Sequence, residues 1–244
     1  MRVVRGRAPT IEADRDLSRR LLDAAGNGES AVRVWVPHRQ LAFGRRDTAL
    51  DGYEQAREAA RAHEFPPIER NVGGRAVAYD GETTIAFARA DPVADFRTGT
   101  ADRYARTTAA LERTLTDAGI DVERGEPAET FCPGSHSLSA IDGAGHRQKL
   151  VGIAQRVQRG AALTAGILLV ANRNELASGL DAVYGALDEP LEPATVGSVH
   201  AAGGPAVPDR LRRAIETALV GDGSNSTAIE SVAELGGTDT GDDR

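Results

Sequence analysis

The chain has 244 residues, of which 41% are hydrophobic and 27% charged, and its formal net charge is -7 at pH 7. This composition excludes a disordered protein, and the acidic balance argues against a nucleic-acid binder held by a broad basic face. No apolar run approaches the ~20 residues of a membrane span, no secretory signal opens the chain, and its one cysteine cannot form an internal disulfide, so we expect a cytoplasmic protein.

The first part of the chain predicts a helix, a strand and a second helix. Leucines at 17, 21 and 22 recur with helical spacing, and valines at 32, 34 and 36 alternate as in a strand after a turn at 26–28. Residues 51–62 are rich in Glu, Ala and Arg and predict a helix that ends near Pro66, because proline cannot continue it. Residues 76–79 and 83–88 predict a β-hairpin that turns at Asp80 and Gly81.

The second half predicts further helices and strands, followed by a tail. Residues 104–118 form the clearest helical pattern, which Gly119 ends, and a strand is expected to begin at 121–123. Two strands with a turn at 158–160 are expected within 143–170, and residues 208–219 predict an amphipathic helix. These signals indicate an α/β body over residues 1–220. Residues 221–244 lack bulky apolar side chains, so we expect a disordered acidic tail.

Lys149 is the single lysine among the 29 basic residues of the chain. Arginine replaces lysine at most solvated positions, but its planar head cannot substitute for a compact ammonium that must meet an oxygen at one point. Lys149 is therefore a candidate catalytic residue. A composition that favours arginine could also have left one lysine by chance.

Three stretches carry a resemblance to a known family. The sequence KLVGIAQR at 149–156 is followed by LTAGILLV at 163–170, and RNVGGRAVAY occupies 70–79. A weaker match is VPHRQLAFG at 36–44. In this order they resemble the lipoate protein ligase and octanoyltransferase family, with its K-x-x-G-x-A-Q strand, its L-x-x-G-x-L-L strand and its R-x-x-G-G-x-A-V-x-H acyl-binding loop. The resemblance implies an α/β (α+β) fold with a mixed, largely antiparallel sheet flanked by helices.

The resemblance also implies roles for single residues. Lys149 would contact the acyl carbonyl and the α-phosphate oxygen of an adenylate, where an ammonium neutralises negative charge. The remaining residues of these motifs are expected to bind substrate or adenylate: Arg70, Gly73, Gly74, Arg75, Tyr79, Gly152, Gln155 and Gly166. Tyr79 stands where the family usually has histidine, and Ala165 stands where ligases often have histidine before the glycine. Both differences affect the acyl pocket.

The role of Cys132 distinguishes two hypotheses for the mechanism. The family's cysteine octanoyltransferases carry a nucleophilic cysteine upstream of the lysine strand in a C-x-x-x-S motif, and residues 132–136 read CPGSH, with a further serine at 137. A thiol near a cation is a good nucleophile, although single cysteines are often inert buried side chains. His136 and His146 supply no convincing partners for a zinc site, so we expect no metal site.

We place an ATP-dependent ligase first. It would adenylate lipoate with ATP and Mg²⁺ and transfer the lipoyl group to a lysine of an apo lipoyl domain. The alternative is an ATP-independent transfer of octanoyl or lipoyl through a thioester of Cys132, which needs no cofactor. A third hypothesis is a non-catalytic protein of the same fold that binds a ligand. Many ligases of the family have a separate C-terminal domain, so a ligase of this length is expected to need an accessory subunit. No nucleic-acid or membrane partner is expected.

Overall fold

Helices and two β-sheets make up the ranges that the computed structural model describes, which are residues 1–70, 74–221 and 227–232. The α-helices of these ranges are α1 (Ile11–Gly26), α2 (Tyr53–Ala62), α3 (Thr100–Asp117), α4 (Arg173–Ala186) and α5 (Pro208–Val220). The strands are β1 (Arg2–Arg5), β2 (Ala31–Trp35), β3 (Gln40–Phe43), β4 (Pro67–Glu69), β5 (Val77–Tyr79), β6 (Ile85–Pro92), β7 (Glu123–Arg124), β8 (Ser137–Ile141), β9 (Arg147–Gln158), β10 (Ala161–Leu168) and β11 (Ala228–Ser231). No helix in the described ranges is long and apolar enough to cross a membrane.

The larger sheet is mixed and mostly antiparallel, as the sequence predicts. Its strand order is β11-β1-β2-β6-β10-β9-β8-β7. Strand β1 pairs in parallel with β11 and β2, and the other neighbours are antiparallel. A smaller sheet has the order β4-β3-β5. The fold class expected from the sequence is therefore confirmed.

Apolar side chains at helical spacing fix two of the helices on the larger sheet. Leu17, Leu21 and Leu22 are buried on α1, which begins where the Thr10 hydroxyl accepts a hydrogen bond from the Ala13 N–H. Helix α5 begins with Pro208, where a missing N–H costs nothing, and buries one residue on each turn as it packs against β2 and α3. Both predicted helices are confirmed.

One prediction about the connections is wrong. Strands β5 and β6 do not form a hairpin, because β5 pairs with β3 in the smaller sheet and β6 pairs with β2 and β10 in the larger one. The Asp80 carboxylate accepts hydrogen bonds from the N–H groups of residues 82–84, so these donors are satisfied within the turn. The expected disordered tail contains β11, which pairs with β1, and Arg2 forms an ion pair with Glu230. The other tail positions, 222–226 and 233–244, lie outside the described residues.

The small sheet and the helices beside it hold the loop between β7 and β8. Phe131 of this loop is 1% exposed and packs in a core that includes Phe43 and Phe65 together with leucines of α4. Cys132 packs against the same core from its edge. Strand β9 passes close by with Lys149. The fold thus brings the loop of the single cysteine and the strand of the single lysine to one place.

A buried ion pair joins α1 to β2. Arg33 is 0% exposed, and its Nη2 donates to the Asp14 carboxylate at 2.6 Å and to the Gly6 carbonyl at 2.8 Å. The same carboxylate oxygen accepts the Ala8 N–H at 2.6 Å. Removing one partner of such a pair leaves the other charge buried and uncompensated.

We therefore expect Asp14→Ala to lower the free energy of unfolding by about 3–5 kcal/mol, as measured by urea denaturation. The matched control is Asp16→Ala on the same helix, whose side chain is 52% exposed and pairs with Arg19. We expect that control to change the free energy of unfolding by less than about 1 kcal/mol. Equal effects of the two substitutions would contradict the importance of the buried pair.

Candidate active site

Cys132 lies on the loop between β7 and β8 in a backbone conformation that is uncommon for a residue with a side chain. Its φ angle is +40°, in the left-handed region. The Cys132 N–H donates a 2.6 Å hydrogen bond to the Tyr184 hydroxyl, which in turn donates to the Ala76 carbonyl at 3.0 Å. Burial raises the pKa of Tyr184, so its hydroxyl stays protonated. Helix α4 thereby holds the backbone of the cysteine.

Two hydrogen-bond donors point at the sulfur of Cys132. The Arg70 guanidinium and the Arg75 backbone N–H each lie 3.3 Å from Sγ. Arg70 also donates to the Arg75 carbonyl, so it links the start of the predicted acyl-binding loop to its middle. Burial acts to lower the pKa of Arg70, but its interactions with Cys132 and Tyr79 outweigh burial, so the pKa is raised. A cation and an N–H at this distance favour negative charge on the sulfur.

Gly74 approaches the same sulfur from the acyl-binding loop. Its φ angle is +93°, and a Cβ atom at this position would lie 2.8 Å from Sγ of Cys132 and 3.1 Å from Nη2 of Arg70. Glycine is therefore required both for the backbone conformation and for the close contact. Gly73, which the sequence predicts beside it, lies outside the described residues.

We expect Gly74→Ala to lower the rate of the acyl transfer that the sequence motifs predict by about tenfold or more, because the added methyl group pushes the sulfur away from its two donors. The matched control is Gly28→Ala in the turn between α1 and β2. Gly28 has a φ angle of +96°, and a Cβ there meets nothing within 4 Å. Both variants place alanine at a similar positive φ, so we expect both to lower the melting temperature and only Gly74→Ala to change the steady-state kinetics. Equal kinetics would contradict a role of the close contact.

The ammonium of Lys149 is engaged by three oxygen atoms. Lys149 is 1% exposed, and its Nζ donates to Glu126 at 2.7 Å, to the Phe131 carbonyl at 3.0 Å and to the Cys132 carbonyl at 2.9 Å. An ammonium has three hydrogens, so this set uses all of them. Lys149 thus holds the backbone of the cysteine loop, an arrangement that the sequence motif did not predict.

Arg75 contributes its backbone to the cysteine and its side chain to two carboxylates. The guanidinium contacts Asp47 at 3.5 Å and forms an ion pair with Glu189. Burial raises the pKa of Asp47. The hydrogen bond from the Gly44 N–H and the charge of Arg75 act in the opposite direction but do not cancel this effect. The side chain of Arg75 therefore anchors the loop. The sequence had predicted contact with substrate or adenylate for this residue.

Of the remaining motif residues, Tyr79 and Gly152 lie beside Arg70 and Lys149, whereas Gln155 contacts other parts of the fold. Tyr79 lies near Arg70 at the edge of the core, where burial raises the pKa of its hydroxyl and Arg70 opposes this. A Cβ at Gly152 would lie 3.5 Å from the Lys149 side chain, so Gly152 borders the lysine. Gln155 is instead tied to Arg103 at 2.9 Å and to Thr164 at 3.2 Å, at the start of α3.

Gly166 allows close packing between strands. A Cβ at this position would lie 2.2 Å from the Gly152 carbonyl oxygen and 2.5 Å from the ring of Phe87. The contacts of Gly166 and Gln155 in the structure are with other residues of the fold. Their expected contacts with substrate therefore stay predictions.

A small cavity adjoins the cysteine loop. It has a volume of about 150 Å³, and its lining includes Pro133, Tyr184, Glu129 and Arg75. A larger cleft of about 500 Å³ lies between β1, β2 and the start of α5, and it touches none of the residues around Cys132. We assign the site to the cysteine because the donors converge there and not at the larger cleft. In the part of the chain that the structure describes, His, Cys, Asp and Glu side chains form no group of three that could hold a metal ion.

Two residues of the site escaped the sequence motifs. Glu126 binds Lys149, and Tyr184 binds the backbone of Cys132. Glu126 stands in an ordinary RGEP stretch, and Tyr184 stands on a helix that the hydrophobic pattern did not indicate. The only signal for Glu126 was its place a few residues before the cysteine.

Comparisons with known proteins identify the family of the chain and several of its relatives. The lipoyl protein ligase A/B catalytic domain family matches residues 12–200. The octanoyl-[GcvH]:protein N-octanoyltransferase of Geobacillus kaustophilus is 32% identical over 139 residues, which are 56% of this chain and 46% of the relative. The enzyme of the same name from Exiguobacterium sibiricum is 31% identical over 133 residues, 54% of this chain and 45% of the relative. The matches span about half the length of these relatives.

Solved structures share the fold at low sequence identity. Protein Ta0514 of T. acidophilum with bound lipoic acid has a TM-score of 0.70 and 16% identity, with coverage of 95% of this chain and 89% of that one. A lipoate-protein ligase A bound with ATP has a TM-score of 0.70 and 17% identity, with coverage of 93% and 88%. The resemblance inferred from the motifs is confirmed. The chain belongs to the lipoyl protein ligase A/B catalytic domain family.

Proposed function

We propose that the protein is an acyltransferase that moves an octanoyl or lipoyl group through Cys132 to a lysine of an acceptor lipoyl domain. The observation that carries the proposal is the convergence of Arg70, Gly74 and the Arg75 N–H on the sulfur of Cys132. Such an arrangement suits a thiolate nucleophile. The name of the curated relatives, octanoyl-[GcvH]:protein N-octanoyltransferase, supports the same chemistry and a protein-bound acyl donor.

In the first step the Cys132 thiolate attacks the acyl carbonyl of the donor. A bond forms between Sγ and the carbonyl carbon, and the bond from that carbon to the donor heteroatom breaks. The donor leaves with the electron pair and takes up a proton, as a thiol from a carrier thioester or as an amine from an acylated lysine. Arg70 lies where it can stabilise the negative charge of the sulfur before attack.

In the second step the acceptor lysine, as a free amine, attacks the thioester carbonyl. A carbon–nitrogen bond forms, the bond to Sγ breaks, and the sulfur leaves as the thiolate while the nitrogen loses a proton to solvent. The donors that first activated Cys132 also favour its departure. Because the thiol must stay reduced, we place the reaction in the cytoplasm.

The ATP-dependent ligase is the second candidate, because a lipoate-protein ligase A that binds ATP has the same fold. In that case Lys149 and Arg70 would hold the adenylate oxygens, Mg²⁺ would accompany ATP, and an accessory subunit would complete the enzyme. The contacts of Lys149 favour the transferase over the ligase. Its ammonium is buried against Glu126 and two carbonyls, so reaching a phosphate would require breaking the ion pair.

The test gives the purified protein and an apo lipoyl domain three donors in separate reactions: octanoyl carrier thioester, octanoylated GcvH, or lipoate with ATP and Mg²⁺. Intact mass of enzyme and acceptor is recorded in each. We expect an octanoyl adduct on the enzyme and acylation of the acceptor with one or both protein donors, in the absence of ATP. Acceptor lipoylation only in the reaction with ATP would overturn the transferase in favour of the ligase.

A further inference from the structure

Glu126 ties together the two sides of the cysteine loop. It lies two residues after the end of β7, and its side chain is 16% exposed. Its Oε1 accepts the Gly134 N–H at 2.7 Å, and its Oε2 accepts the Ser137 hydroxyl and the Lys149 ammonium, each at 2.7 Å. One carboxylate therefore binds the loop beyond Cys132, the first residue of β8 and the catalytic-motif lysine.

The contacts of Lys149 complete the enclosure of Cys132. Lys149 donates to the carbonyls of residues 131 and 132, on the near side of the loop. Glu126 holds residues 134 and 137, on the far side. The ion pair between Lys149 and Glu126 connects the two sides. Cys132 thus lies within a closed set of hydrogen bonds that specifies its left-handed backbone.

This backbone conformation needs external support. A non-glycine residue at positive φ is less stable than one in the common regions of backbone conformation. Such conformations persist only where the surroundings determine them, and they concentrate at functional sites. The Glu126 network and the Tyr184 hydroxyl provide that determination for Cys132.

We propose that Glu126 is a positioning residue for acyl transfer: through Lys149, Gly134 and Ser137 it holds Cys132 so that the sulfur faces Arg70 and the Arg75 N–H. The inference rests on the proposed transferase function and adds a residue to it. A carboxylate is needed because all three partners are donors. The amide of glutamine would direct an NH₂ group at one of them, leaving that donor without an acceptor.

The test compares Glu126→Gln, Glu126→Asp and the control Glu123→Gln with the wild type. Glu123 is an exposed residue of β7, and its carboxylate is 63% exposed. Single-turnover formation of the acyl-enzyme is measured over a range of octanoyl carrier thioester and octanoylated GcvH concentrations. We expect the limiting rate of Glu126→Gln to fall about 30-fold, with the donor concentration at half-maximal rate changed less than threefold. Glu126→Asp should fall less, and Glu123→Gln should match the wild type.

A second measurement needs no acyl donor. Iodoacetamide alkylates Cys132 as the only cysteine, and we expect alkylation of Glu126→Gln to slow about tenfold because the sulfur leaves its two donors. A purely structural role would lower the melting temperature without changing the limiting rate or the alkylation rate, and that result would overturn the proposal.

Failures of the two proposals are distinguishable. If the wild type forms no acyl-enzyme with either donor, the transferase function is wrong. If the wild type forms it and Glu126→Gln forms it equally fast, only the role of Glu126 is wrong. If Glu126→Gln fails to fold, Ser137→Ala tests the role of Glu126 instead. This variant removes one neutral hydroxyl that donates to Glu126 and leaves the carboxylate in place. We expect it to slow acylation at least threefold, and an unchanged rate would overturn the inference.

Discussion

Replacing Cys132 with serine is expected to abolish acyl transfer, with a loss of about 10³-fold or more in rate. A hydroxyl is a far weaker nucleophile than a thiolate, and Arg70 and the Arg75 N–H provide no base to remove its proton. The substitution keeps the size of the side chain, so the Tyr184 hydrogen bond to the backbone and the packing of Phe131 should remain. We expect the melting temperature to change little.

The measurement is intact mass after incubation with an octanoyl donor, with and without hydroxylamine. Wild type should carry a hydroxylamine-sensitive octanoyl adduct, and Cys132→Ser should carry none. Ser135→Ala, three residues further along the same loop, is a control that leaves the nucleophile in place. ATP-dependent lipoylation of an acceptor by Cys132→Ser would contradict the transferase, because a ligase requires no thiol.

Lys149→Arg is expected to have the second largest effect, with a loss of about 10²-fold in transfer and a lower melting temperature. The ammonium fits between the Glu126 carboxylate and two carbonyls at 2.7–3.0 Å, and the larger planar guanidinium cannot meet all three from a buried position. The sequence alone suggested a loss of activity in a normally stable protein. Complete burial adds a cost in stability of about 1–3 kcal/mol from overpacking.

Circular dichroism and single-turnover acylation measure the two effects separately. The control is Arg159→Lys in the exposed turn between β9 and β10, which should change neither. Lys149→Met removes the charge at similar length and leaves Glu126 without its cation, so it should also lose activity. Turnover of Lys149→Arg near that of the wild type would mean that the single lysine is an accident of composition.

The sequence predicted those elements in which one periodicity dominates. Leu17, Leu21 and Leu22 lie on one face of α1, and β9 and β10 alternate as expected around their turn. Helix α4 was missed because glycines and polar residues dilute its apolar pattern, although Leu176 and Leu180 are buried. The pairing of β5 and β6 was wrong because hydrophobicity records burial but not the sheet to which a strand belongs.

For the site, the structure brings together four residues that the sequence singled out, but the sequence did not predict their partners. Cys132, Arg70, Gly74 and Lys149 do come together, as their shared motif order suggested. Glu126 could not be predicted, because its importance depends on a loop that returns past it and on a lysine from another strand. Long-range hydrogen bonds of this kind leave no local pattern in a sequence.

The burial of the only lysine affects whether an enzyme with an acyl-thioester intermediate would acylate its own amines. An activated acyl thioester reacts with any unprotonated amine within reach, so a surface rich in lysines would be slowly acylated by the enzyme that carries it. Here every other basic side chain is a guanidinium or an imidazole, and the Lys149 nitrogen is buried and donates to three oxygens. Under the proposed transfer, no lysine amine of the chain is exposed to the acyl thioester, and the amine of the incoming acceptor is its target.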